Sequence, residues 1–422
     1  MNRRADVAII GGGPGGSGTA AFLADRGLSV VLFERETFPR FHVGESLMPA
    51  TMLLLEELGV RQEIDARGFQ LKYGAVFVDE ETATTQTFYF LPGQAWPNYS
   101  YQVPRAEFDT ILLEHARKRG VTVHQPAAVE SVAIDPDGVT VTASADGEPI
   151  TVRASMLVDA SGRDGFMASR YGERRRIPNL GKVALFAHYR GARRLSGLAE
   201  GNIRIYVFKD GWCWWIPLAD DLTSVGAVCH ARTVRAFDGR LDDLLDSMVA
   251  RSRGVSDSLA GAVRVTPVHS AANFAYHNSP VIGDRFLAVG DAIAFVDPIF
   301  SGGVYIALRT GQLAADAIAA ASTAGDFGRA RFAAYERRVQ RGLAPLFKFI
   351  HKYYEPSFFH VFMHPRDVLG TYVAVLNVLS GGNWIRMPWR LRGAMHLMFA
   401  ISRVTSWLRR CRGLPVESRL EW

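Results

Sequence analysis

Four groups of residues in this 422-residue chain have types and spacings that could do chemistry. Gly11-Gly12-Gly13-Pro14-Gly15-Gly16 follows a short apolar run, Asp6 to Ile10, and precedes a helical pattern from Ser17 to Arg26 that Gly27 stops. Val30 to Phe33 then reads as a second buried strand ending at Glu34. This order of strand, G-x-G-x-x-G, helix, strand and acid predicts a bound dinucleotide. Gly11 makes the tight turn, Gly13 lets the backbone approach a pyrophosphate, Gly16 permits close helix–strand packing, and Glu34 accepts from a ribose hydroxyl. Ser301-Gly302-Gly303 precedes an apolar helical pattern from Val304 to Ala320. Backbone N–H groups at such a start can hold an anion, with Ser301 as the expected N-cap. Lys72 stands among Phe69, Leu71 and Tyr73, and burial there would lower its pKa toward the free amine. Trp212, Trp214 and Ile216 alternate as in a half-buried strand closed by Pro217, with Trp215 facing the other way.

The elements that position these groups predict an α/β fold of more than one structural unit. Hydrophobic residues make up 48% and charged residues 21%, ordinary for a globular protein. Cys213, Cys229 and Cys411 form neither a metal-ligand nor a CxxC spacing, which favours a reducing compartment, no disulfide framework and no metal site. The apolar run after Met1-Asn2-Arg3-Arg4 is short and ends in glycines, so it reads as a first strand and not a signal peptide. No stretch has the ~18 uninterrupted apolar residues of a membrane span. The expected location is cytoplasmic. The net charge of +6 suits an anionic cofactor or an acidic partner. Basic runs such as Arg174-Arg175-Arg176 lack interleaved aromatics, so no nucleic acid is expected.

Three later segments resemble glutathione-reductase-type flavoproteins of the aromatic-hydroxylase class. They are Pro104-Arg105-Ala106-Glu107-Phe108-Asp109, Leu157-Val158-Asp159-Ala160-Ser161-Gly162-Arg163 and Phe286-Leu287-Ala288-Val289-Gly290-Asp291-Ala292. The resemblance implies FAD, with Arg105 near the flavin and Asp291 on the ribityl chain. Arg35, Arg40, Glu45, Ser46 and Gly303 complete the expected cofactor contacts. Those hydroxylases carry Asp-Gly after the middle strand, a position linked to NAD(P)H use. Here the pair is Ser161-Gly162, although a shifted alignment reaches Asp164-Gly165. On the first alignment, reduced flavin comes from a separate NAD(P)H-dependent reductase.

Trp212 to Pro217 fits W-x-W-x-I-P, and Phe295 to Gly303 fits F-x-x-P-x-x-S-x-G. With Phe41-His42-Val43-Gly44-Glu45-Ser46 and Lys72, these runs resemble the flavin-dependent halogenases over roughly residues 5 to 345. The resemblance implies that reduced FAD and O₂ form a C4a-hydroperoxide, which oxidises chloride or bromide to hypohalous acid. Ser301, Gly302 and Gly303 then seat the halide. Trp212, Trp214, Ile216 and Pro217 keep the organic substrate from the flavin, and Lys72 is catalytic, as a donor to hypohalous acid or as a chloramine. Asp297 is the nearest motif carboxylate for a covalent FAD link. Tryptophan-specific relatives place a glutamate where this chain has Phe300. That departure argues for an electron-rich phenol or pyrrole, free or tethered to an acyl or peptidyl carrier protein. A monooxygenase or dehydrogenase of the same fold, or a non-halogenating flavoprotein, is the alternative.

The expected FAD-binding domain is discontinuous, at 1–78, 101–170 and 280–342. A mixed β-sheet substrate domain takes 79–100 and 171–279, and 343–422 is a C-terminal helical region. Its aromatic-rich stretch from Phe347 to Phe362 reads as packing, with a substrate lid or a peripheral membrane contact as the other readings.

Overall fold

Val7 to Ile10 are all buried, which suits a strand covered on both faces of a parallel sheet. The strand Arg3–Ile10 pairs in parallel with Val30–Phe33 on one side and Glu148–Asp159 on the other. The sheet runs in the order Ile282–Gly283, Phe286–Ala288, Glu148–Asp159, Arg3–Ile10, Val30–Phe33, Thr122–His124. An antiparallel pair, Ala128–Asp135 and Gly138–Ala145, extends from Glu148–Asp159. This computed structural model describes residues 3–177, 181–272, 275–365, 369–384 and 388–413.

Helix Pro14–Ala24 starts at the glycine-rich turn with Gly13 as its N-cap. It packs against the helices Arg105–Lys118 and Gly303–Ala324. Small residues allow the close approach. A Cβ on Gly18 would lie 2.6 Å from the Leu308 side chain, and one on Gly311 would lie 2.4 Å from Thr19 Oγ1. The start of Gly303–Ala324 is thereby brought to the same end of the sheet as the glycine-rich turn.

A second sheet runs in the order Val263–Arg264, Lys182–Arg190, Leu222–His230, Gly211–Pro217, Ile203–Phe208, Gly74–Asp79, Thr84–Tyr89. Its pairs are antiparallel except for Ile203–Phe208 with Gly74–Asp79. The period-two alternation divides its side chains between two cores. Trp212, Trp214 and Ile216 join the main core, whereas Cys213 and Trp215 join a smaller core with Leu244, Leu245 and Met248 of the helix Leu241–Ala250. The expected opposition of Trp215 to its neighbours is what the sheet has.

The expected boundary at 78 falls inside Gly74–Asp79, and cross-strand pairing carries that whole strand into the second sheet. We therefore propose a break before Gly74. The boundary at 342 falls inside the continuous helix Ala333–Tyr353, so the C-terminal region grows out of that helix. Beyond it come Pro356–Met363, Thr371–Leu379 and Trp389–Cys411. Phe349, Tyr353 and Phe362 bring ring contacts to Phe77 of the second sheet and Phe300. Among the described residues, no helix is long and apolar enough to cross a membrane.

Gly16 tests the dinucleotide turn most sharply. A Cβ there would sit 1.8 Å from the Gly11 carbonyl oxygen. Gly16→Ala is expected to lower stability by roughly 1–3 kcal/mol or more, read as a lowered thermal midpoint with loss of bound dinucleotide. An unchanged midpoint and cofactor content would refute the packing argument.

Candidate active site

The ends of the parallel strands, the N-termini of Pro14–Ala24 and Gly303–Ala324, and one face of the second sheet enclose a cavity of about 910 Å³. Gly11 and Gly13 line its floor, and Glu34 closes one end. The Glu34 carboxylate accepts from Gly12 N–H at 2.6 Å and Glu36 N–H at 2.9 Å, so the acid stiffens the turn. Arg40 stacks over Phe38 at 4.5 Å and lies 3.3 to 3.4 Å from Glu36 and Asp109. Its buried Nε and Nη1 nevertheless make no hydrogen bond, and its Nη2 lies 3.4 Å from where a Gly13 Cβ would be. Nε and Nη1 face those two carboxylates, while Nη2 stands beside the helix N-terminus, a placement that fits a pyrophosphate. Asp291 lines the cavity, its pKa raised to about 6 by burial against the pull of Arg105 and Arg163. Cavity size, the glycines of the turn and the Arg40 guanidinium beside Gly13 together fit FAD.

Arg105 lines the cavity, as a flavin contact must, and it also holds the neighbouring chain. It grips Asp109 with two bonds, at 2.7 and 2.9 Å, and donates to the Val43 carbonyl at 2.9 Å. Its guanidinium thus holds the segment Val43–Gly44. Asp109, one helical turn on, is the partner that sequence reading left out. Arg35 is an exposed residue at the cavity rim, paired with Asp164.

Lys72 is fully buried in the short strand Gln70–Lys72 and does not line the cavity. Its ammonium donates to Ser46 Oγ at 2.8 Å and to the Leu47 carbonyl at 3.0 Å, with the Phe90 ring 5.6 Å away. Burial pushes its pKa down to about 7. Ser46 does line the cavity, so one side chain separates Lys72 from the cofactor space. Glu45 beside it also lines the cavity and meets His188 Nε2 at 2.7 Å. His188 is 143 residues away and was invisible to sequence reasoning. His42, missed as well, lines the cavity with Nδ1 2.7 Å from the Val43 carbonyl. Burial, helped by Arg105, lowers its pKa to about 4, so it is neutral near pH 7.

The segment Phe295–Gly303 corrects one expectation. Ser301 is not the N-cap of the following helix: Gly302 holds that position. Ser301 instead closes the turn Pro298–Phe300 in the left-handed region, φ 58° and ψ 27°. A non-glycine residue there costs roughly 1–2 kcal/mol. The Ser301 N–H is bonded to the Pro298 carbonyl at 2.9 Å, so the N–H groups of Gly302 and Gly303, at the start of the helix, are the ones a bound anion could meet. Ser301, Gly302 and Gly303 all line the cavity, opposite Trp212, Trp214 and Ile216. Trp214 packs over Gly226, where a Cβ would come within 2.2 Å of the indole.

Asp297, the carboxylate nearest for a covalent cofactor link, is turned away from the cavity. It pairs with Lys182 at 3.0 Å, both side chains fully buried, and its other oxygen accepts from Ile299 N–H. Tyr354 lies over the Lys182 ammonium and receives a bond from Trp212 Nε1 at 3.2 Å. The segment Phe295–Gly303, the tryptophan strand and the helix Ala333–Tyr353 thus meet at one buried ion pair. Gly16 and Pro217 also lie outside the cavity lining. They shape the helix approach and end the strand.

A family model described as an FAD binding domain matches residues 4–343. The chain is 33% identical over 373 residues to the 1H-pyrrole-2-carbonyl-(peptidyl-carrier protein) chlorinase of Pseudomonas fluorescens, covering 83% of each chain. The solved flavin-dependent brominase Bmp2 matches at a TM-score of 0.85 and 30% identity, over 95% of this chain and 99% of that one. A flavoprotein/dehydrogenase from Cytophaga hutchinsonii matches at 0.87 and 26% identity, over 96% and 100%.

The buried lysine predicts a pH-dependent stability. Lys72 has a folded pKa of about 7 against 10.5 for the ordinary side chain. Between these values the unfolded chain holds the extra proton, so wild-type stability gains with rising pH; below about 7 the full burial penalty is present. Lys72→Met should therefore be the more stable protein at pH 6, by on the order of 4 kcal/mol before its lost hydrogen bonds are counted. Denaturant midpoints should converge as the pH approaches 10. A difference independent of pH would contradict the shift.

Proposed function

The chain belongs to the flavin-dependent halogenases, and from that premise we propose that it halogenates a pyrrole or similarly electron-rich ring borne by a carrier protein. It is an FAD-dependent enzyme of the oxidoreductase class, using reduced FAD and a halide. Bound reduced FAD supplies, with O₂, the oxidising oxygen that converts halide to hypohalous acid. The remaining work falls to side chains and backbone of this chain.

The observation that carries the reading is the position of Lys72: a desolvated amine one residue behind the cavity wall at Ser46. The N–H groups of Gly302 and Gly303, with the Ser301 side chain beside them, would hold the halide at the cavity. Trp212, Trp214 and Ile216 would exclude the bulky ring from that space, so that only the small oxidised halogen species passes toward Lys72. As the ammonium, Lys72 would donate a hydrogen bond to hypohalous acid and make its halogen more electrophilic. As the amine, it would take the halogen with loss of water and pass it to the ring.

Phe300 supports the substrate class. It is 4% exposed, with rings of Phe349 and Tyr353 both 5.2 Å away. A carboxylate in its place would be desolvated among these rings, which disfavours the acid expected for free tryptophan. The carrier-borne pyrrole of the Pseudomonas fluorescens relative is the model for the tethered ring. Reduced flavin would come from a separate NAD(P)H-dependent reductase. The dehydrogenase-named neighbour makes direct NAD(P)H oxidation the reading to exclude.

The assay supplies FAD, a flavin reductase, NADH, O₂ and chloride or bromide with free and carrier-loaded pyrroles and phenols. Mass spectrometry should find a halogen isotope pattern that Lys72→Ala abolishes, a fall of at least ~100-fold, with flavin binding retained. Hydroxylated product, or substrate-stimulated NADH oxidation without the reductase, would overturn the reading. The pH profile separates the two lysine roles. Activity that falls as pH rises through about 7 marks the ammonium donor, and activity that rises marks the amine.

A further inference from the structure

The positive charge of this protein is concentrated at one end of the chain. Residues 343–412 hold ten Lys and Arg against two acids, a net +8 where the whole chain is +6, so the rest carries a net −2. The last described helix, Trp389–Cys411, has 23 residues and contains no Asp or Glu. It packs against Pro356–Met363 and Thr371–Leu379 through Ala394, Met395, Met398, Phe399 and Ser402. Its opposite side carries large apolar residues into solvent: Trp389 is 76% exposed, Val404 56% and Trp407 62%, with Ile401 and Leu408 also exposed.

The helical period sorts these side chains. Trp389 and Trp407 are 18 residues apart, about five turns, so they share one azimuth about 27 Å apart along the axis. Val404, Leu408 and Ile401 fall within ~120° on one side of that line. Exposed Arg392, Arg403 and Arg410 fall within ~60° on the other, and exposed Arg390 flanks the apolar side at the azimuth of Leu408.

We propose that this face is a docking surface for an anionic lipid bilayer, on which the enzyme lies peripherally with the helix parallel to the membrane. An apolar stripe with tryptophans, rimmed by arginines and free of acids, matches an interfacial helix. The straightness of the stripe favours a plane over a globular acidic partner, because a flat surface can cover its whole length at once. Arginines beside the stripe would reach anionic headgroups, each contributing near the surface. The proposal is independent of which ring is halogenated.

The test uses the full-length flavoprotein with vesicles of phosphatidylcholine and phosphatidylglycerol at 3:1, and with phosphatidylcholine alone, in co-sedimentation at low and high salt. Binding is expected only to the anionic vesicles and should be lost in high salt. Val404→Glu with Trp407→Glu, and separately Arg403→Glu with Arg410→Glu, should each weaken partitioning at least ~10-fold. Helix content and flavin absorbance should stay unchanged, which keeps misfolding separate. Wild-type failure to bind anionic vesicles, or variants that bind like wild type, would overturn the proposal. So would variants that change only the oligomeric mass, which would make the face a contact between copies. Loss of binding to an acidic carrier protein without any lipid binding would equally overturn it.

Discussion

The desolvation of one ammonium group organises this site. Lys72 is fully buried, and it donates hydrogen bonds to Ser46 and Leu47, on the segment that walls the cofactor cavity. Neither acceptor is charged, so burial dominates and brings the pKa to about 7. A lysine in that condition is reactive only if its surroundings are held still. The segment Val43–Leu47 is accordingly fixed from several sides, by Arg105 on the Val43 carbonyl, His188 on Glu45, and backbone bonds to the strand Ser100–Gln102.

The same logic of separation runs through the rest of the site. A halogenating enzyme must admit halide to the flavin while denying access to the ring. Here the turn Ser301–Gly303 and the side chains of Trp212, Trp214 and Ile216 line one cavity, as the proposed roles in halide binding and ring exclusion require. The aromatic packing of Phe77, Phe300, Tyr353 and Phe362 fills the space behind that turn. The Lys182–Asp297 pair joins these layers, its lysine pKa lowered to about 8 by burial in spite of the carboxylate. Removing either partner would leave the other charge buried and uncompensated, which makes the pair a structural commitment.

Much of this was legible in the sequence where the determinants are local. The turn from Gly11 to Gly16, the strand ending at Glu34 and the alternation of Trp212, Trp214 and Trp215 each depend on residues close in the chain. Interactions across long separations left no such trace. His188 with Glu45 and Lys182 with Asp297 are joined only by the folding of the second sheet against the first. Ser301 shows how local reading also fails: serine is a common N-cap, but the preceding turn forces it into the left-handed region and passes the cap to Gly302. The strand Gly74–Asp79 was assigned one layer away for a related reason, since cross-strand pairing is set by partners more than a hundred residues off.

The central claim is that burial beside the cavity wall poises the Lys72 amine between its two protonation states near neutral pH. The direct measurement is a lysine-selective NMR titration of the isotope-labelled flavoprotein, with Lys72→Met identifying the resonance. A midpoint close to 7 agrees with the account. A midpoint near 10.5, the ordinary lysine value, would contradict it.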